Sequence, residues 1–324
     1  MRQAIPLLLA LLVAVQAAPA QTAAPPPQVD SVETITSEAP KTPLEKAIDG
    51  FVKSYAAPTL NVSKIPRWAR GLCPGTAGLT PEQNLGVTAF VRKIAAEAGA
   101  PAAAKEPCNP NVMIIFTRTP QAVMDDIVKN HEELLGYHEV GQTARIATMR
   151  HPIQAWYATG TRDEKGFLIP DRTDRDPNCE SELNDLYILP IMSPPWVALF
   201  HKVYADCGGL HETGNRINDG MRSEILAATI VVDVGKLGDT GLKPVANYIA
   251  MLALSQTQTF ETCQPLVSIV NLMTPGCEAA LKPDTLSPSD LAYLSALYRV
   301  NPEVRLSSQQ SGIAHQMEAA LGGR

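Results

Sequence analysis

Ile225-Leu-Ala-Ala-Thr-Ile-Val-Val-Asp-Val234 and Leu242-Lys-Pro-Val-Ala-Asn-Tyr-Ile-Ala-Met-Leu-Ala-Leu-Ser-Gln256 are the two stretches that decide the fold. The first is rich in β-branched residues, which fit a pleated, buried strand. The second enters through Pro244 and is apolar on nearly every side, which is typical of a centrally buried helix. A buried strand followed by a buried helix favours an α/β layer.

Other elements have start signals of their own. Thr80 with Gln83, and Ser287 with Asp290, have the spacing of capping boxes at helix N-termini. Gly99 provides a stop signal for the first of these helices. The sequence therefore predicts a single α/β (or α+β) domain with a mixed sheet packed by helices. Helices are expected at 43–55, 80–98, 119–135, 242–256 and from 287, and strands at 111–117, 153–159, 186–192 and 225–234.

The N-terminus resembles a secretion signal. An apolar run from Leu7 to Val15 follows Arg2 and precedes the small residues Ala18 and Ala20. The run is shorter than the roughly 20 residues of a membrane-spanning helix. We expect a signal peptide at 1–20, a Pro/Ala-rich linker at 21–43, a globular domain at 44–302 and a tail at 303–324 with a weak amphipathic helix at 315–321. Cleavage near Ala20 would place the protein in the periplasm or outside the cell.

Composition narrows the class of partner. The formal net charge is −6, which argues against nucleic acid, since phosphates require a basic surface. No later stretch is apolar for long enough to cross a bilayer. We therefore expect a chain that does not span a membrane, and no pattern in it predicts a cofactor.

The chain has six cysteines, which in an exported protein indicate three disulfides. They fall into three neighbouring pairs in the sequence. A structural zinc site is the alternative, but no Cys-x-x-Cys occurs. The favoured pairs are Cys73–Cys108, Cys179–Cys207 and Cys263–Cys277.

Histidine motifs provide few catalytic candidates. His131-Glu132 begins like a zinc-protease motif, but Leu135 stands where the second histidine would be. His211 and Glu212 follow a glycine pair, with Arg216 close behind, and form a weak candidate pocket. No Gly-x-Ser-x-Gly elbow accompanies them.

The order of elements and the segment Leu286-Ser-Pro-Ser-Asp-Leu-Ala-Tyr-Leu-Ser-Ala-Leu-Tyr298 resemble the catalytic domain of metzincin zinc peptidases. The chain is also similar to a group of exported proteobacterial proteins with this layout. The resemblance implies a metzincin-like fold over about 44–300, with the helix at 242–256 beside the cleft.

The zinc motif itself is missing. The resemblance would place histidine ligands at Asn247, Met251 and Thr257, and the catalytic glutamate at Tyr248. Without imidazoles and a glutamate, no open zinc site or general base is expected, so no catalytic or metal residue is predicted. Asn247, Tyr248, Ser255 and Gln256 are then the polar groups expected nearest the cleft.

These features favour a non-catalytic binding protein on a metallopeptidase-like scaffold. Its partner would be a protein or peptide of the cell envelope, held along the cleft or a sheet edge. One alternative is a periplasmic hydrolase with a non-metal site near His211 and Glu212. Another is a structural component of the envelope that uses the polar excursion at 162–184 as its contact surface.

Overall fold

A mixed five-stranded sheet forms the middle of the protein. The computed structural model describes residues 41–103, 107–139, 141–171, 218–257 and 261–322. The strands lie in the order β1-β2-β5-β3-β4. Their bounds are β1 Pro74–Ala77, β2 Val112–Thr117, β3 Ile153–Arg162, β4 Leu168–Pro170 and β5 Arg222–Asp233.

Strand β5 is central and joins two kinds of pairing. It runs parallel to β2, which in turn runs parallel to β1, and Ile114 of β2 lies opposite Ile230 of β5. Strand β3 pairs with β5 on its other side in the antiparallel sense, with Ala155 opposite the same Ile230. Strand β4 continues antiparallel to β3 as the short outer strand. The predicted mixed sheet is therefore confirmed.

The described ranges contain seven α-helices, and most of them start as the sequence predicts. Capping boxes at Thr80 and Ser287 are confirmed, and a third lies at Thr42. Gly99 ends its helix in the left-handed conformation, with φ of 80°. The helices are α1 Pro43–Tyr55, α2 Pro81–Ala98, α3 Pro120–Asn130, α4 Thr143–Ile146, α5 Leu242–Leu254, α6 Pro288–Arg299 and α7 Leu306–Leu321.

Alternation along β5 divides the apolar residues between two faces of the sheet. Ile230 and Val232 belong to the large core that contains α5, whereas Val231 packs with the smaller cluster around Met124 of α3. A period of two is the expected side-chain pattern of a strand. Helix α5 thus lies in the main core, as its uniformly apolar sequence predicts.

Helix α3 is shorter than expected. It ends at Asn130, not Leu135, and a 3₁₀ turn follows at Glu132–Leu135. Gly136 closes this turn with φ of 75°, and a Cβ there would lie 2.0 Å from the carbonyl oxygen of Tyr157. Only glycine fits against β3 at position 136, and the α-helix ends before this position.

The C-terminal helix is longer than the predicted amphipathic segment at 315–321. Helix α7 begins at Leu306 and buries Ile313 and Met317 completely. These two residues belong to the main core, so the helix is part of the folded body. The amphipathic pattern of this helix is weak in the sequence because the polar residue Gln309 is buried as well. Its side chain accepts a hydrogen bond from the main-chain N–H of Ile65.

Two predicted disulfides are present. Cys73–Cys108 and Cys263–Cys277 are bonded, with Cα–Cα distances of 6.1 and 5.4 Å. The predicted Cys179–Cys207 pair lies outside the described residues, as do the signal peptide, most of the linker and the strand predicted at 186–192.

Candidate functional site

Helix α5, the centre of the site predicted from sequence, is enclosed by the protein. Every residue from 245 to 254 is buried. The Asn247 side chain donates to the carbonyl of Lys243 and accepts from the N–H of Leu286, both at 2.9 Å. Tyr248 is 1% exposed, and burial raises the pKa of its phenol above the usual range. Asn247 therefore bonds to main chain, and Tyr248 fills the core.

The C-terminus of α5 is closed by four side-chain donors. The last four carbonyls of a helix have no partner within the helix, and leaving them unpaired in a core is costly. The bonds run from Ser255 Oγ to Met251 O at 2.9 Å, Tyr157 Oη to Leu252 O at 2.8 Å, Trp68 Nε1 to Ala253 O at 2.7 Å, and Tyr298 Oη to Leu254 O at 2.8 Å. The Trp68 indole is therefore held in a fixed position.

Trp68 lines a cavity beside the first disulfide. The cavity has a volume of about 200 Å³. It lies where the chain enters β1, β2 and β5. We call it the disulfide pocket, and its lining residues are Trp68, Arg70, Gly71, Cys73, Ala103, Cys108, Asn109, Asn111, Ile225 and Leu226.

Main-chain contacts fix the shape of the disulfide pocket. Asn111 is buried, accepts from the N–H of Cys73 at 2.7 Å and donates to the carbonyl of Gly71 at 3.0 Å. A Cβ on Gly71 would lie 2.6 Å from the Cα of Ala103, so only glycine lets these two segments approach so closely. Together with the disulfide from Cys73 to Cys108, these contacts hold the segments that line the pocket next to one another.

Arg70 is the one charged residue among the described residues that line the disulfide pocket. Arg70 is exposed, and it has no hydrogen bond or ion pair within the part of the chain that the structure describes. No carboxylate is among the described lining residues. The amide of Asn109 lies on the same rim. The pocket thus combines apolar walls with a cation that is free to meet a ligand.

A second polar region lies at the start of β5, around Glu224. Glu224 is 1% exposed and accepts from Arg162 Nη2 at 2.8 Å and from Arg222 Nε at 3.1 Å. Burial by itself would raise the pKa of Glu224, but the hydrogen bonds and charge of Arg162, and then of Arg222, outweigh it and lower the pKa. A carboxylate held ionised between two guanidiniums is a structural ion pair and a poor general base.

The same end of the sheet buries a lysine and an aspartate. Lys64 is 2% exposed and donates to Asp219 and, at 2.7 Å, to the carbonyl of Met221. Asp171 accepts from the hydroxyls of Thr159 and Thr161 at 2.6 and 3.2 Å. These groups have their bonds within the protein, so they stabilise the end of the sheet.

His138 is held by a main-chain carbonyl and a threonine hydroxyl. His138 is buried; its Nδ1 lies 2.8 Å from the carbonyl of Gly136 and its Nε2 lies 3.0 Å from Thr143 Oγ1. The weak candidate residues His211, Glu212 and Arg216 lie outside the described residues.

Within the described ranges, no three His, Cys, Asp or Glu side chains lie close enough together to hold a metal ion. None of the helices described there is long and apolar enough to cross a membrane. No protein-family model, curated protein or solved structure matches this chain.

Sequence reasoning missed the disulfide pocket because its walls come from distant segments. Trp68, Ala103 and Ile225 are joined only by the fold. The available signal was the pairing of Cys73 with Cys108, which predicts that the segments around both cysteines meet.

Proposed function

We propose that this chain is an exported, non-catalytic binding protein that holds a small apolar ligand in the disulfide pocket. Ligand sites are concave, mostly apolar and largely preformed, with a few polar groups that orient the ligand. The disulfide pocket has these properties. The observation that carries the proposal is the combination of walls formed by Trp68 and the Cys73–Cys108 bond with Arg70, which has no partner among the described residues.

This proposal moves the site away from α5. The sequence favoured a protein or peptide partner along a cleft or a sheet edge near that helix, whose residues 245–254 are buried. The relationship to metzincins stays a prediction. If it is correct, the protein keeps the body of a peptidase while its ligand binds elsewhere.

The two alternative functions depend on other segments. The hydrolase would use His211 and Glu212, which lie outside the described residues. The structural component would use the excursion at 162–184, of which 162–171 is described and contains β4. Both stay predictions, and neither is favoured by a contact described above.

Filling the pocket tests the proposal. Ala103 lines the disulfide pocket, and Ala103→Phe would place a ring in it; Ala102→Phe is the matched control because Ala102 is exposed and does not line the pocket. Indole and benzoate serve as probes, and the thermal shift of each variant is measured against its own ligand-free value. A ligand present at 100 times its Kd stabilises by about 2.7 kcal/mol.

We expect the natural chain and Ala102→Phe to be stabilised by at least one probe, and Ala103→Phe not to be. Equal stabilisation of all three proteins would show that binding occurs elsewhere. No stabilisation of the natural chain by either probe would contradict the proposal.

A further inference from the structure

The size of the disulfide pocket limits what can enter it. Its volume is about 200 Å³. An apolar cavity of about 150 Å³ is enough to hold one benzene ring. The pocket therefore accommodates one ring or a short alkyl chain, and it is too small for a larger ligand to enter completely.

The walls favour an apolar group. Trp68 and Ile225 are each 2% exposed, and the Cys73–Cys108 disulfide provides a further apolar surface. The indole N–H of Trp68 donates a hydrogen bond to the carbonyl of Ala253 at 2.7 Å, so it is not available to a ligand. Recognition inside the pocket is thus limited to shape and burial of apolar surface.

The rim favours a negative charge. Arg70 is the one charged residue among the described lining residues, and no described residue neutralises it. A guanidinium presents a planar set of donors that matches a carboxylate in a bidentate geometry. Asn109, another exposed lining residue, can donate a further hydrogen bond from its amide.

Resting on the proposed function, we infer that the ligand is a small apolar monocarboxylate. Its ring or short chain fills the disulfide pocket and its carboxylate pairs with Arg70. Among the described lining residues, one cation balances a single negative charge, which is why a monocarboxylate is the class that fits.

The test compares charged and neutral ligands of equal shape. Binding of benzoate and benzamide, and of octanoate and octanamide, is measured by calorimetry on the purified chain, on Arg70→Gln and on Arg118→Gln. Arg118 is the matched control, because it is an exposed arginine at the opposite end of β2, roughly 20 Å from Asn111 along an extended strand.

We expect the natural chain and Arg118→Gln to bind the carboxylates about five- to tenfold more tightly than the amides at low ionic strength, since the pair is charge-assisted but exposed. Arg70→Gln should bind acid and amide equally, while its affinity for the amides is unchanged. Added salt should reduce the preference in the natural chain.

Each remaining outcome counts against the inference. Equal binding of acids and amides by the natural chain would overturn it and leave the proposed function standing. An acid preference that survives in Arg70→Gln would assign the charge recognition to another residue. Absence of binding by every probe would overturn both proposals. Binding of a peptide C-terminus, lost on amidation, without binding of the free acids would assign the pocket to a peptide.

Discussion

The closure of the α5 C-terminus predicts opposite effects for two tyrosines of one core. Tyr298 donates to the carbonyl of Leu254 at 2.8 Å. Tyr293, on the same helix α6, is completely buried, and its hydroxyl has no partner among the described residues. Changing either residue to phenylalanine removes one oxygen atom and leaves the ring, so the two variants differ mainly in the hydrogen bond that is lost.

Tyr298→Phe should lower the free energy of unfolding by about 1–3 kcal/mol, because it leaves a buried carbonyl unpaired. Tyr157→Phe should cost at least as much, because that hydroxyl contacts the carbonyls of Leu252 and Ser255 at 2.8 and 3.0 Å. Tyr293→Phe should be neutral or stabilising, because it removes a buried polar group that has no bond to lose.

Urea titration followed by circular dichroism measures these differences, and thermal unfolding checks them at roughly 2–4 °C per kcal/mol. The reasoning would be refuted if Tyr293→Phe cost as much as Tyr298→Phe. In that case the loss would come from the packing of the aromatic cluster, in which Tyr293 meets Phe51 and Tyr55 edge to face, and not from the closure of α5.

Two further predictions concern the ion pair and the second disulfide. Glu224→Gln should lower the free energy of unfolding by about 3 kcal/mol at neutral pH, because Arg162 and Arg222 lose their buried counter-charge. The pKa of Glu224 is lower in the folded protein than in the unfolded chain. The stabilisation is therefore complete above about pH 4.3, the usual pKa of glutamate. It is lost as the pH falls through the pKa of the folded protein. The unfolding free energies of the natural chain and the variant should therefore converge in acid, and a difference that is independent of pH would contradict the assignment. Replacing both Cys263 and Cys277 by serine should lower the free energy of unfolding by about 3 kcal/mol, according to the chain-entropy model. Urea titration measures this difference. An unchanged unfolding midpoint would show that the loop is ordered without the bond.

Local signals in the sequence predicted most helices and the central strands. Thr80 with Gln83 and Ser287 with Asp290 fix helix starts through bonds within four residues, so the sequence carries that information directly. The β-branched run of β5 and the apolar α5 were also predicted to within a few residues.

The elements that were missed depend on partners far away in the chain. Strand β1, Pro74–Ala77, contains proline and glycine, which are depleted in strands, and it is extended because it pairs with β2. Strand β4, Leu168–Pro170, is an outer strand of three residues that follows a turn organised by Asp163, whose side chain accepts from the N–H groups of Lys165 and Phe167 at 2.9 Å. Such short outer strands have little pattern to detect.

The sequence placed one candidate site at α5, and it gave little sign of the disulfide pocket, for the same reason. The polar residues of α5 suggested an open cleft. The sequence cannot show that the Asn247 side chain accepts a hydrogen bond from the N–H of Leu286. The disulfide pocket needs Trp68, Ala103 and Ile225 together, and only the cysteine pairing gave a hint that these segments meet.

A methyl NMR titration of the purified chain with benzoate tests the central claim most directly. Ile225 lines the disulfide pocket, whereas Ile230, five positions further along the same strand, is completely buried in the core and does not line it. We predict saturable shifts of the Ile225 and Ala103 methyl signals with the Ile230 signal unchanged. Saturation of the protein with no shift at Ile225 or Ala103, or with an equal shift at Ile230, would contradict the account.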